Sequence, residues 1–275
     1  MPASQAISYS WTVDGAPPSP ALVSSVKLFQ VEDHSSMADL LRIKVTIGVK
    51  QDGSGWTVLD EDTFPRLARI EVKGKIGTQT ETLILAHVIE TSVEFSTQPG
   101  QTVMSIVAMD SSALMNLEEK VRPWPDMSDS EIATTIFEEY GFSPRVKDTQ
   151  PARPESETKT IQRSTDIQFL QQLAQRNGCE CYVETSPSGD IEGHFHPPDT
   201  SQRPQGVLTV NMGQDTNVSA FSVRNDMLRP TTVKVKGLDI ESLSDQPAES
   251  EEQSDQGLGT QAGSASGPPR VVLLT

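Results

Sequence analysis

Over the first 110 residues apolar positions recur every second residue. Leu41, Ile43, Val45 and Ile47 alternate with Arg42, Lys44 and Thr46. A period of two predicts an antiparallel strand with one face buried and one wet. Ile70 and Val72 alternate with Arg69, Glu71 and Lys73 in the same way. Trp11 to Gly15 reads as a short strand ending in a turn, and Gln51 to Gly55 is a second turn. Leu83 to Ile89 is apolar at nearly every position, which predicts a strand buried on both faces. Val93 and Phe95 continue it, Gln98-Pro99-Gly100-Gln101 turns the chain, and Val103 to Met109 returns. This strand count and turn spacing predict a small barrel or sandwich.

The period then changes. Ser128-Asp129-Ser130-Glu131 is a capping box, with Ser128 as N-cap and Glu131 three residues on. Behind it Ile132, Ala133, Ile136, Phe137 and Tyr140 lie on one helical face, and Gly141 is a left-handed stop. A second helix begins near Ser164 or Thr165, buries Ile167, Leu170, Leu173 and Ala174, and ends at Gly178. Asp148 to Lys159 between them is polar and predicts an exposed loop. Cys179 to Thr185 and Asp190 to His196 form a hairpin around Ser186-Pro187-Ser188-Gly189. Further strands are expected at Val207 to Val210, Val218 to Val223 and Thr231 to Lys236. Asp239 to Pro269 carries seven acidic residues and no Lys or Arg, a composition that predicts a disordered segment. Val271 to Leu274 is again apolar.

Charge narrows the function. The 275 residues carry a net charge of -16, which repels phosphate backbones and anionic lipid, so neither nucleic acid nor membrane is an expected partner. No apolar run approaches the length that spans a bilayer. The N-terminus combines no basic region with an apolar run, so the expectation is a chain that folds in the cytoplasm with its two thiols reduced. No nucleophile-elbow, phosphate-loop, dinucleotide or zinc-protease pattern is present. Glu138 and Glu139 are neighbours on a helix and cannot face each other, so no catalytic residue is expected. His87, inside an apolar strand, reads as a satisfied core histidine. His34 lies in a polar loop.

One constellation holds candidate metal ligands. Cys179 and Cys181 are two apart on one strand, and His194 and His196 are two apart on the next. A four-residue loop would set Cys181 opposite His194 and Cys179 opposite His196, all on one face, a ligand set that would suit Zn²⁺ if the side chains leaned inward to meet. A slip of one residue puts the histidines on the other face. The plainer reading is an ordinary hairpin with an apolar face, no metal and no cofactor.

The order of these elements resembles a known family. Trp11-Thr12-Val13-Asp14-Gly15 leads to Val26–Phe29 and to Leu41–Ile47. Val107-Ala108-Met109-Asp110, Ser128-Asp129-Ser130-Glu131-Ile132-Ala133 and Glu139-Tyr140-Gly141-Phe142 follow. Gln162 to Leu170 and Leu173 to Gly178 complete the series. Over residues 11 to about 236 this resembles the late control protein D family of phage tails, which includes baseplate hubs and the N-terminal part of VgrG-like spikes. The resemblance implies an α+β, mainly β chain. It has two tube-type antiparallel β-barrel domains, at 1–118 and 206–275, with a helix-containing domain at 119–205 between them. The second barrel is expected to be incomplete and interrupted at about 239–268. The family further implies a homotrimer that joins a sixfold inner tube protein to a threefold spike among other baseplate subunits. Such a subunit is assembled in the cytoplasm and then carried in a phage tail or injection particle. A hub-associated cell-wall hydrolase and a metal-stabilised binding module are the alternatives.

Overall fold

The computed structural model describes residues 7–34, 37–60, 62–152, 154–156, 159–199, 206–222, 232–239, 244–250 and 271–274. The chain divides into two compact units, Met1–Pro198 and Asp199–Thr275.

The first unit begins with β1 (Ile7–Val13), the short helix α1 (Pro20–Ser25), β2 (Val26–Glu32) and β3 (Leu40–Thr46). β4 (Arg69–Ile76), β5 (Gln79–Glu94) and β6 (Val103–Asp110) follow. These strands make one antiparallel sheet in the order β1-β4-β5-β6-β3-β2. The alternation read from sequence is the alternation observed: Leu41, Ile43 and Val45 are buried while Arg42 and Lys44 are exposed. The sheet curls until its two edge strands meet through side chains. Tyr9 of β1 stacks on Phe29 of β2 with ring centroids 5.2 Å apart, and Trp11 lies 5.6 Å from the same ring. The enclosed core is Leu41, Ile43, Ile70, Ile84, Ile106 and their neighbours.

The apolar run in β5 is bounded by two bulges. Val72 pairs with Ile84 and Lys73 with Thr82, so Leu83 is unpaired. Val88 pairs with Ala108 and Glu90 with Val107, so Ile89 is unpaired. Both bulged residues are exposed, at 50% and 42%, and burial on both faces is confined to Ile84 through Val88. Ile84, Ala86 and Val88 belong to the sheet core. Leu85 and His87 are buried outside it.

The rest of the unit is a helix module. A 3₁₀ turn (Ser111–Asn116) leads to β7 (Lys120–Pro123), α2 (Asp129–Glu139) and β8 (Ser143–Val146). β9 (Ile161–Ser164), α3 (Asp166–Asn177), β10 (Glu180–Thr185) and β11 (Ile191–His196) complete it. β7 pairs with β9, and β10-β11-β8 form a small mixed sheet. The α2 capping box is present in both directions, Gly141 is left-handed at φ 71°, and Ile132, Ile136 and Phe137 are fully buried. Gly178 stops α3 in the left-handed region. Gly193 serves a close approach, since a Cβ there would sit 2.3 Å from the Phe137 ring.

In the second unit β12 (Thr232–Asp239) pairs antiparallel with β13 (Ser244–Ser250) and parallel with β14 (Val271–Leu274). Two sequence expectations change here. β13 lies inside the acidic segment expected to be disordered, and residues 251–270 lie outside the described residues. Val207–Val210 forms no strand, nor do residues 218–222 of the expected Val218–Val223 strand. Instead this stretch folds on Asn217, whose side chain accepts from the Thr209 N–H at 2.8 Å and donates to the Val207 carbonyl at 2.8 Å. Such side-chain bonds offer the backbone an alternative to a sheet ladder.

Candidate functional site

The β10–β11 hairpin is where the sequence placed its candidate ligands, and its loop is one residue longer than expected. The ladder closes at Thr185↔Ile191, so Asp190 belongs to the loop. The Ser186 N–H donates to the Asp190 carbonyl at 2.8 Å, the Asp190 N–H donates to Ser186 Oγ at 3.0 Å, and Ser188 Oγ donates to the Asp190 carboxylate at 2.8 Å. These three bonds draw Asp190 out of the strand. The slip moves every β11 side chain to the opposite face. Cys181 now lies opposite Phe195, Tyr182 opposite His194, and Glu180 opposite His196. The four candidate residues are therefore split. Cys179 and Cys181 pack against the helix-module core, where burial raises the Cys179 thiol and pushes Cys181 up to about 12. His194 and His196 lie on the outer face with Tyr182.

That outer face is aromatic at its centre and acidic at its rim. The Tyr182 and His194 rings stack 4.5 Å apart and nearly parallel, with His196 edge-on to both. His196 Nδ1 is 2.9 Å from the Pro197 carbonyl oxygen, and His194 Nδ1 is 3.3 Å from His196 Nε2. His194 Nε2 is 3.5 Å from a carboxylate oxygen of Glu184 and 3.5 Å from one of Glu192. Arg145 clasps Glu192 with bonds of 2.7 and 3.1 Å. Burial, and then His196, hold His194 below the ordinary histidine value. Among the described residues no three His, Cys, Asp or Glu side chains are placed to hold a metal together.

The hairpin tip reaches back to β5. The Thr82 N–H donates to the Pro187 carbonyl at 3.0 Å and the Leu85 N–H to Thr185 Oγ1 at 3.2 Å. The second face of this strand, expected from sequence to be buried, thus meets the chain's own hairpin at Thr82 and Leu85. His87, further along β5, is buried but only half satisfied. Its Nδ1 lies 3.4 Å from the Leu67 carbonyl and its buried Nε2 has no partner. Burial lowers its pKa.

Two further polar groups escaped the sequence reading. At the end of β6 the Asp39 and Ser112 N–H groups donate to the Asp110 carboxylate at 2.6 and 2.8 Å. Burial raises both acids, Asp39 to about 6 with the nearby Asp110, Asp33 and Glu184 charges adding to it. In the helix module the buried Asp166 accepts from Lys120 and Tyr140 on one oxygen and from Gln162 on the other. Burial would raise this acid, but those donors outweigh it and hold it below the ordinary value. Only a pairing across 46 residues of sequence could have revealed the first of these contacts. Of the two adjacent helix acids, Glu139 is bound to Arg122 at 2.6 Å.

Residues 7–265 match the family model described as the Alg8 N-terminal domain. None of the curated proteins matches significantly. Among solved structures, a tail protein from Neisseria meningitidis MC58 has a TM-score of 0.60 at 12% identity, covering 98% of this chain and 72% of that one. The 43 kDa tail protein of prophage MuSo2 from Shewanella oneidensis has a TM-score of 0.56 at 14% identity, covering 97% and 71%. A chain of the half-lidded Francisella PdpA–VgrG complex has a TM-score of 0.50 at 13% identity, covering 99% of this chain and 44% of that one. At such identities the likeness establishes a shared fold.

Proposed function

We propose that the chain, which belongs to the Alg8 N-terminal domain family, is a structural subunit of a phage tail or contractile injection device, in the position of a baseplate hub. The observation that carries this reading is a fold shared with two tail proteins over 97–98% of the chain. A third match, to a VgrG-containing complex, points to the same class of machine. The late control protein D resemblance noted from the motifs agrees with it.

In this reading residues 1–118 are a first tube-type barrel, 119–205 a helix-containing domain and 206–275 part of a second barrel. The separate cores of the curled sheet and the helix module support the first boundary. The subunit is a homotrimeric adaptor without enzymatic activity, assembled in the cytoplasm. It contacts an inner tube protein on one side and a spike on the other. β5 does not contribute to the trimer contact through Leu85, which is buried and whose N–H is bonded to Thr185 of the hairpin. The contacts fall instead on sheet edges, which need covering in any β protein. The test is native mass spectrometry of the purified chain together with a reconstruction of the particle that contains it. A closed trimer between tube and spike is expected. A monomer inside the particle, or a sixfold ring of this chain, rules the hub position out.

A further inference from the structure

The outer face of the hairpin sets two imidazole nitrogens against each other, 3.3 Å apart. A carbonyl oxygen can only accept, so His196 Nδ1, 2.9 Å from the Pro197 oxygen, carries the proton of that ring. His196 Nε2 therefore presents a lone pair to His194 Nδ1 at 3.3 Å. A neutral His194 has one proton for two sites. Placed on Nδ1, it makes the bond to His196, but it leaves the Nε2 lone pair facing the Glu184 and Glu192 carboxylates, each 3.5 Å away. That nitrogen is buried and accepts no hydrogen bond. Placed on Nε2, the proton faces the carboxylates, but two imidazole lone pairs then oppose each other. Either neutral arrangement contains one repulsive contact. A cation between the two nitrogens removes it, either a proton that makes His194 an imidazolium or a bound metal ion.

The spacing suits the metal ion. Ligand nitrogens about 2.0–2.1 Å from a tetrahedral metal lie roughly 3.3–3.4 Å apart, close to the observed 3.3 Å. The outer nitrogens are also disposed as metal-bound histidines require. One points at a backbone carbonyl and the other at carboxylates, the partners that fix ring orientation and raise ligand basicity. We propose that His194 Nδ1 and His196 Nε2 form a two-imidazole site for a divalent first-row transition metal of the Cu²⁺, Ni²⁺ or Zn²⁺ class. Among the described residues no third protein ligand is placed to join them, so water fills the remaining positions. The bound ion clips the end of β11 and lets the His194 Nε2 proton face Glu184 and Glu192. The thiols of Cys179 and Cys181 lie on the opposite face and take no part. The proposal is independent of any role in a tail.

The test is calorimetric titration of tag-free chain with CuCl₂, NiCl₂, ZnCl₂ and CaCl₂ near neutral pH, with electron paramagnetic resonance of the Cu²⁺ complex. One Cu²⁺ per chain is expected, with coupling to two nitrogens. Ni²⁺ and Zn²⁺ should bind more weakly, following the general affinity order for such ligands, and Ca²⁺ not at all. His194→Gln and His196→Gln should each weaken Cu²⁺ binding more than about tenfold, a loss at least as large as removal of a supporting partner causes. The double variant Cys179→Ser with Cys181→Ser should bind as the parent does. Absence of saturable binding, a spectrum with sulfur or fewer than two nitrogens in the sphere, or loss of binding in the cysteine variant overturns the proposal.

Discussion

The curled sheet encloses Leu41, Ile43, Val45, Ile70, Ile84 and Ile106, and the buried polar residues of this region, such as Thr82, His87 and Thr102, lie outside that cluster. The helix module also has an apolar core, but beside it lie Gln162 and Asp166, 0% and 1% exposed and joined to Lys120, Tyr140 and Trp124. The two regions thus reach one structure by different means. An alternating apolar face fixes which side of a strand is inside, and volume-conserving exchange there is cheap. A buried polar network must be satisfied at every atom, because a missing partner leaves others with no water to turn to. The sheet should therefore tolerate change that the helix module does not.

Asp166→Ala should be the most damaging single change. It strands the Tyr140 hydroxyl, the Gln162 amide and the Lys120 ammonium together, and an uncompensated buried partner costs about 3 kcal/mol or more. Urea unfolding reads this directly, and a loss under about 1 kcal/mol would mean the network relaxes into water. Next comes Gly193→Ala. The added methyl meets the Phe137 ring, and overpacking of this kind costs roughly 1–3 kcal/mol. Ile43→Val, in the sheet, removes one methylene from a fully buried residue and should cost about 1 kcal/mol. If Ile43→Val proved as costly as Asp166→Ala, the contrast between the regions would collapse.

The smallest effect depends on pH and sits where the regions join. The Asp39 carboxyl has a folded value near 6, above its ordinary 3.8. A raised carboxyl binds its proton more tightly in the folded state. Its contribution is complete below the unfolded value and is lost as pH rises through the folded one. Asp39→Asn removes that loss. Thermal melts of the two proteins should coincide near pH 4, and the variant should be more stable by about 1 kcal/mol above pH 7, the full shift being discounted because the group is only half-buried. A variant less stable at high pH would mean that the charged carboxylate has a favourable partner there.

Much of this was legible in sequence, for identifiable reasons. Leu41, Ile43 and Val45 report their face through the neighbours on either side, and the α2 capping box states its boundary in four consecutive residues. These signals are local. The hairpin register was not legible, because it turned on whether Asp190 joins the loop. Three hydrogen bonds among Ser186, Ser188 and Asp190 decide that, against a strand reading that was equally good. Nor could the two bulges in β5 be seen, since Leu83 and Ile89 are as apolar as the residues between them. The Asp166 network joins residues 26 and 46 positions apart, beyond the range of any periodicity.

The bond from Leu85 to Thr185 spans 100 residues, and that separation sets a clock. During synthesis at about 5–20 residues per second, the hairpin is made roughly 5–20 seconds after β5. For that interval the Thr82 and Leu85 N–H groups lack their hairpin partners. The nascent chain offers a sticky strip for seconds, long enough for a neighbouring polysome-borne copy or a holdase to reach it first. Slower translation between residues 95 and 185 would lengthen that exposure without altering a single contact in the finished molecule.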